Sequence, residues 1–451
     1  MAGQEKIRCG TAPSGVRYAL RRSSGRVAWC ALSIGAGTRD EAGFPAGIAH
    51  FTEHNIFRGT SSKSARVISS FLDRLGGELN AFTTKEEIVL HATVLREDLR
   101  KAVGLLFELA TDSTFPEDEI ETERGVVLDE IISYKDNPAE DIYDNFESML
   151  FEGHPLSTPI LGTPSSVKKI KPEMLRRFVA QNFIPSRMAL SIVADIDLDK
   201  LEKQVLKLTG KNISSALLRN PVRANAPEKV SPAHSSDASP AHSSDASPAH
   251  SSAASPCHFE RAQRVEKSLF TKVIDKHNHE VNAVIGGVAP SLYEMPDRLI
   301  AAMLANILGG PASNSLLNAE LREKRGWVYG IECNYTQYAD TGVVAITFGC
   351  DKPNLDNCLK AIDKILAGLR DKPLTDARLK AYRKQLLGQL AISSEAGEAQ
   401  CLSLGKSMLA WGEVMTSAQT RRILDSITPE QLQAMAVRLF SPENLSSLIY
   451  L

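Results

Sequence analysis

The feature that most constrains this chain is a repetition interrupted by a stretch of another character. In the first half, DLRKAVGLLFELATDSTFPEDEIETERGVVLDEI reads as an apolar helix, a break with proline and a long helix. In the second half, NLDNCLKAIDKILAGLRDKPLTDARLKAYRKQLLGQL reads the same way, after a restart from Ser268 as strand, helix, strand and strand. A repeat this long is a whole domain. Between the copies, from about Ser214 to Ala262, SPAHSSDA recurs with a period of eight residues from Ser231, Ser239 and Ser247. Proline at that spacing among Ser, Ala and Asp cannot build a core, which predicts a disordered tether. Its His234, His242, His250 and His258 read as a tolerated repeat expansion rather than a metal site. The expected domains are 1–213, a linker over 214–262, and 263–451.

Within the first domain Val27 to Ile34 reads as a strand, Ala65 to Leu75 as a helix capped by Ser64, and MALSIVADI as a buried strand. The alternation of Ile88, Leu90, Ala92 and Val94 predicts a strand facing a core on one side, with His91 outward. This order of elements gives an α+β fold of layers rather than a doubly wound sheet.

The chemistry is concentrated in GIAHFTEHNIFRG, Gly47 to Gly59. Read as a helix, it puts His50 and His54 one turn apart on one face, able to converge on a cation, with Glu53 beside them. A carboxylate there can take a proton from water on a zinc ion, the arrangement of an H-x-x-E-H peptidase motif. A catalytic zinc usually has a third protein ligand. The acidic helix PEDEIETERGVVLDEIISY offers candidates: Ile120, Val127, Ile131 and Tyr134 form an apolar arc, with Val126 at its margin and Glu123 and Glu130 projecting inside it. Buried carboxylates need a partner or a metal. The two are two turns apart and cannot easily share one ion, and helical geometry alone does not choose between them.

HFTEH followed 76 positions later by Glu130 in ERGVVLDEI resembles the pitrilysin or insulinase family of zinc peptidases, the inverzincins, in their short processing-peptidase-like branch. The resemblance covers nearly the whole chain. It implies one Zn2+ per chain held by His50, His54 and Glu130, with Glu53 as general base and acid and Glu123 supporting the site without binding metal. It implies two homologous domains, each a mainly antiparallel sheet packed with helices in a processing-peptidase or LuxS-like metallohydrolase fold, enclosing a chamber. Asn80, Ala81 and Phe82 resemble the edge strand that takes substrate as an added β-strand, with Phe82 lining a side-chain pocket. LREKRGWVY resembles an element whose Arg and Tyr reach the substrate at the zinc, which gives Arg322 a carbonyl or carboxylate to hold and Tyr329 an oxyanion to stabilise.

The implied activity is that of a zinc endopeptidase acting on unfolded peptides or a peptide precursor. The alternative is a non-catalytic structural or peptide-binding subunit, against which stands the intact H-x-x-E-H. By analogy the chain pairs as a homodimer, or as a heterodimer with a related chain. A net charge of −2 gives no electrostatic argument for nucleic acid, and no apolar run approaches a membrane span. Seven scattered cysteines without a C-x-x-C point to reduced thiols in a cytoplasmic setting.

Overall fold

The computed structural model describes residues 7–219 and 269–451, so the octapeptide repeat and its four histidines lie outside the described residues. In the first half, β1 (Ile7–Thr11), β2 (Arg17–Arg22), β3 (Val27–Ile34), β4 (Glu78–Thr83), β5 (Ile88–Leu95) and β6 (Met188–Ala194) form one sheet. Helices α1 (Ile48–Ile56) and α2 (Ala65–Ser69) lie between β3 and β4. Helices α3 (Leu99–Asp112), α4 (Glu117–Lys135), α5 (Pro138–Leu150), α6 (Pro164–Val167) and α7 (Pro172–Asn182) separate β5 from β6, and α8 (Leu198–Arg219) follows. Helix α8 runs past 213, where the first domain was expected to end.

The second half supplies β7 (Thr271–Ile274), β8 (Val281–Ala289), α9 (Asp297–Gly309), β9 (Val328–Gln337) and β10 (Gly342–Cys350). Then come α10 (Leu355–Asp371), α11 (Asp376–Ser393), α12 (Gly397–Trp411), α13 (Ser417–Ser426), α14 (Pro429–Phe440) and β11 (Ser446–Tyr450).

Two sheets result, ordered β1-β2-β6-β3-β5-β4 and β7-β11-β8-β10-β9. Leaving out β1, their strand orders correspond one to one: β2 to β7, β6 to β11, β3 to β8, β5 to β10 and β4 to β9. Even the exception matches, since β2 with β6 and β7 with β11 are the parallel pairs in otherwise antiparallel sheets. The fold is α+β in two domains, as the repeat predicts. Each sheet has a core on one face. Ile88, Leu90, Ala92 and Val94 enter the first together with α1, α3, α4 and α7, and α9, α10 and α14 cover the second.

The opposite face of each sheet is covered by a helix from the other half. Ile142, Phe146 and Leu150 of α5 pack on Val284, Val343 and Leu448 of the second sheet. Cys401, Leu404 and Met408 of α12 pack on Ala19, Ala31, Ala189 and Val193 of the first. Each large side chain so buried contributes about 1.5–3 kcal/mol. Helix α12 lies close enough that a Cβ on Gly405 would stand 2.7 Å from Ser33 Oγ and 3.1 Å from Ser191 Oγ. The halves are therefore joined by exchanged helices, because both sheets have an apolar second face to bury.

This exchange corrects the reading of one histidine and gives another its partner. His91, expected at a sheet surface, is covered by α12 and meets Glu398 Oε1 at 3.0 Å through Nδ1. His154 lies in the loop after α5, buried at the seam, 3.3 Å from Asp340 of the β9–β10 turn. Arg39 pairs there with both Asp340 and Glu86, so the two hairpin turns are tied across the halves.

Candidate metal centre

Helix α1 is started by backbone groups. Gly47 sits at φ 87°, the left-handed region open to glycine. The Glu41 carboxylate accepts the Gly47 and Ala49 N–H groups at 3.0 Å each, partners that a helix start otherwise lacks. Ile48, Phe51 and Ile56 are buried in the first core, and the face of α1 that carries His50 and His54 meets α4. On α4, Ile120, Val127 and Ile131 enter the same core, with Glu123 buried among them at 1% exposure, while Val126 turns out to solvent.

His50 Nε2 and His54 Nε2 lie 3.7 and 3.4 Å from Glu130 Oε2, and the three potential ligand atoms fall within 4.8 Å of one another. Donors about 2.0–2.2 Å from a tetrahedral ion stand roughly 3.3–3.6 Å apart, so this spacing fits a single zinc-sized cation. The gaps are long for hydrogen bonds, and Glu130 Oε2 is buried without a hydrogen-bond partner, a position a cation would satisfy. The choice between Glu130 and Glu123 that helical geometry left open is thus made by placement. Glu130 converges with the two imidazoles, whereas Glu123 Oε2 lies behind His54, 3.0 Å from Nδ1. A carboxylate there fixes the tautomer that leaves Nε2 free to bind metal.

The charges follow from these contacts. Burial, with the charge of His54, lowers His50 to about 4. Burial also acts to lower His54, but the carboxylates of Glu130, Glu123 and Glu53 outweigh it and raise the ring to about 8. Glu130 is held below the usual carboxylate range, chiefly by its contact with His54. Glu53 moves the other way, because burial outweighs the neighbouring His54 and the Thr83 hydroxyl, which donates to Glu53 Oε2 at 3.2 Å. A carboxyl raised toward neutrality is suited to taking and returning a proton.

Thr83 ends β4, the outermost strand of the first sheet. Asn80, Ala81 and Phe82 lie on that edge, whose backbone can receive an extended peptide. Side chains alternate along it: Ala81 packs into the first core beneath α1, while Phe82 turns to the other face, its ring centroid 6.0 Å from that of His91. Phe82 thus points away from the face that carries Glu53. Arg322 and Tyr329 are not brought to the triad in this chain. Arg322 is exposed in the turn Asn318–Glu323, and Tyr329, exposed on β9, donates its phenol to Asp351 Oδ1 at 2.6 Å.

One participant was missed. Arg58, just past α1, forms an ion pair with Glu123 Oε1, so a cation, a buried carboxylate and a ligand imidazole stand in line. The signal was available: Arg58 follows His54 by four residues, one helical turn, and a buried Glu123 needed a counter-charge.

Residues 17–164 match the insulinase family, peptidase family M16, and residues 169–386 match the peptidase M16 inactive domain. An uncharacterized zinc protease of Mycobacterium leprae is 29% identical over 432 residues, 96% of this chain and 88% of that one. One of Bacillus subtilis is 28% identical, covering 97% of each chain. Among solved structures, a protease from Helicobacter pylori superposes with TM-score 0.82 at 18% identity, covering 99% of both chains. A peptidase M16 inactive domain from Pseudomonas fluorescens gives 0.81 at 18% identity, covering 99% of this chain and 97% of that one. No helix among the described residues is long and apolar enough to cross a membrane.

Proposed function

Because the chain belongs to the insulinase family, peptidase family M16, we propose that it is a zinc-dependent endopeptidase hydrolysing unfolded peptides or a peptide precursor. The observation that carries this reading is the convergence of His50 Nε2, His54 Nε2 and Glu130 Oε2 beside a half-buried Glu53 and an open strand edge. His50, His54 and Glu130 would hold one zinc ion, which supplies Lewis-acid polarisation of the scissile carbonyl and lowers the pKa of water toward about 7.

The chain's own residues do the rest. The edge of β4 binds substrate by main-chain hydrogen bonds and so accepts many sequences in extended form. Glu53, held by Thr83 at Oε2, takes the proton of the attacking water at Oε1 and returns it to the leaving amine nitrogen. Glu123 keeps His54 oriented, and Arg58 holds the Glu123 carboxylate in place. The match of residues 169–386 to an inactive domain agrees with one catalytic site per chain, and pairing with a second chain is part of the same reading.

Metal analysis of the purified chain with a quenched-peptide assay tests this. About one zinc per chain, with hydrolysis lost on chelation and restored by zinc, is the expected result. Zinc bound without any hydrolysis would instead favour a peptide-binding subunit, and no zinc would sink the reading altogether.

A further inference from the structure

The seam between the halves holds a partly open cavity of about 240 Å³, lined by both. The first half gives the β4–β5 turn, Thr84 to Glu87, and one face of α5. The second gives the end of β9, the loop at Leu292 and Tyr293, and α12 at Lys406 and Leu409. Most polar groups on this wall are engaged. Glu86 accepts from Arg39 and the Ala339 N–H, Glu147 accepts from the phenols of Tyr338 and Tyr143, and Lys85 donates to the Thr158 carbonyl at 2.6 Å.

Glu87 stands apart. Its side chain lines the cavity, the residue is 8% exposed, and Oε2 has no hydrogen-bond partner. Lys406 acts on it only through its field, and that charge is on an exposed side chain. A buried carboxylate oxygen without a partner is costly, which marks the place where a donor is lacking. Around it Ile160, Leu292, Leu409 and Ala410 supply apolar surface.

We propose that this cavity binds a small organic primary amine, its ammonium group on Glu87 and its apolar part between Leu292 and Leu409. An anion is disfavoured by the carboxylates of Glu86, Glu87, Asp144 and Glu147 on the same wall. A bare metal ion does not fit either, since among the described residues the grouping with ligand spacing is His50, His54 and Glu130. A neutral apolar molecule would leave Glu87 without a partner. A cavity of about 150 Å³ takes benzene, so this one has room for a phenylalkylamine. Occupancy ties both halves to one molecule, and the turn that carries Glu87 directly follows Thr83, the residue that holds Glu53. The site is independent of the zinc reading.

The test uses the full chain and 2-phenylethylamine, with leucinamide as a second amine and 2-phenylethanol as the neutral isostere, read by calorimetry and by the shift in melting temperature. The amines are expected to bind and raise the melting temperature, and the alcohol to bind about 10- to 100-fold more weakly, the usual share of a charge-assisted hydrogen bond. Glu87→Gln should lose the same factor for the amines while its zinc content stays at wild type. Ala410→Leu, which fills the cavity without touching Glu87, should also abolish amine binding, and it keeps the test decisive if Glu87→Gln fails to fold. Equal binding of amine and alcohol, undiminished amine binding to Ala410→Leu, or no amine binding to wild type would overturn the proposal.

Discussion

The two halves share a sheet order, and their chemistry differs most at one helix. Aligning Asn55-Ile56 of α1 with Asn306-Ile307 of α9 sets Ala301, Leu304 and Ala305 at the places of His50, Glu53 and His54, and Gly309 at that of Arg58. Ala301 and Leu304 are fully buried and Ala305 is 4% exposed. At Gly309 a Cβ would stand 2.4 Å from the Cys333 backbone nitrogen, so α9 seals flush onto β9. In the first half the same position carries a long cation reaching back to Glu123. One scaffold thus gives a polar cleft between α1 and α4 and, in its copy, a dry contact. The pitch of the helix is common to both, and the side chains decide whether the space is filled by protein or left for a metal and substrate.

The sharpest way to break this comparison is at its centre. Glu53→Gln should lower kcat by about 10²- to 10⁴-fold, because it removes the proton acceptor without removing a ligand, and zinc content should not change. A variant within tenfold of wild type in a peptide assay would place the general base elsewhere. In the copy, Leu304→Glu should cost about 3–5 kcal/mol of stability, since an unpaired carboxylate would be buried where Leu304 has no access to solvent. Denaturant unfolding that shows little loss would mean α9 also has a solvated cleft.

The tie between the halves comes next. Asp340→Asn removes one partner of the half-buried Arg39 while Glu86 remains, at a cost of about 1.5–3 kcal/mol. Its pH dependence has a definite sign. Burial alone would raise the Asp340 carboxyl, but the hydrogen bond and charge of Arg39 outweigh it and hold the group below its ordinary 3.8. The contribution is therefore fully present above 3.8 and lost as pH falls through the lower folded value. Melting curves of wild type and Asp340→Asn should differ at pH 6 and converge below about pH 3.8. A gap that persists in acid would assign the effect to packing.

Arg58→Ala should weaken zinc binding about 10- to 100-fold, measured by competition with a chromophoric chelator, with Arg58→Lys recovering part of the loss. Unchanged affinity would show that Glu123 orients His54 unaided. Tyr329→Phe should have the smallest effect. Its phenol is engaged with Asp351 on its own half, so zinc affinity and melting temperature are expected to stay at wild type. A large fall in kcat on peptides would instead reveal a substrate contact on the second half, and the two halves would then share the chemistry.

Much of this was legible in the residues. The repeat gave two α+β domains, and β3 at Val27–Ile34 and β6 at Met188–Ala194 lie where strand signals place them. The helix read over Ala65 to Leu75 is shorter, ending as α2 at Ser69 and resuming as a turn at Asp73–Leu75. Glu123 and Glu130 both project inward on a helical wheel, and their separate roles depend on how α4 crosses α1. The partners of His91 and His154 could not be read, because Glu398 and Asp340 come from the other half.

The sequence by itself determined what local pattern encodes: the 3.6 and 2 residue periods, the one-turn spacing of His50 and His54, and the doubling of the domain. Only the tertiary structure decided which carboxylate meets the imidazoles, which helix covers which sheet, and where a carboxylate such as Glu87 is left without a partner. Periodicity reports which side of an element is buried, since burial acts on each residue alone. It does not report against what, because contacts between α12 and the first sheet join residues hundreds of positions apart, and no local pattern records their meeting.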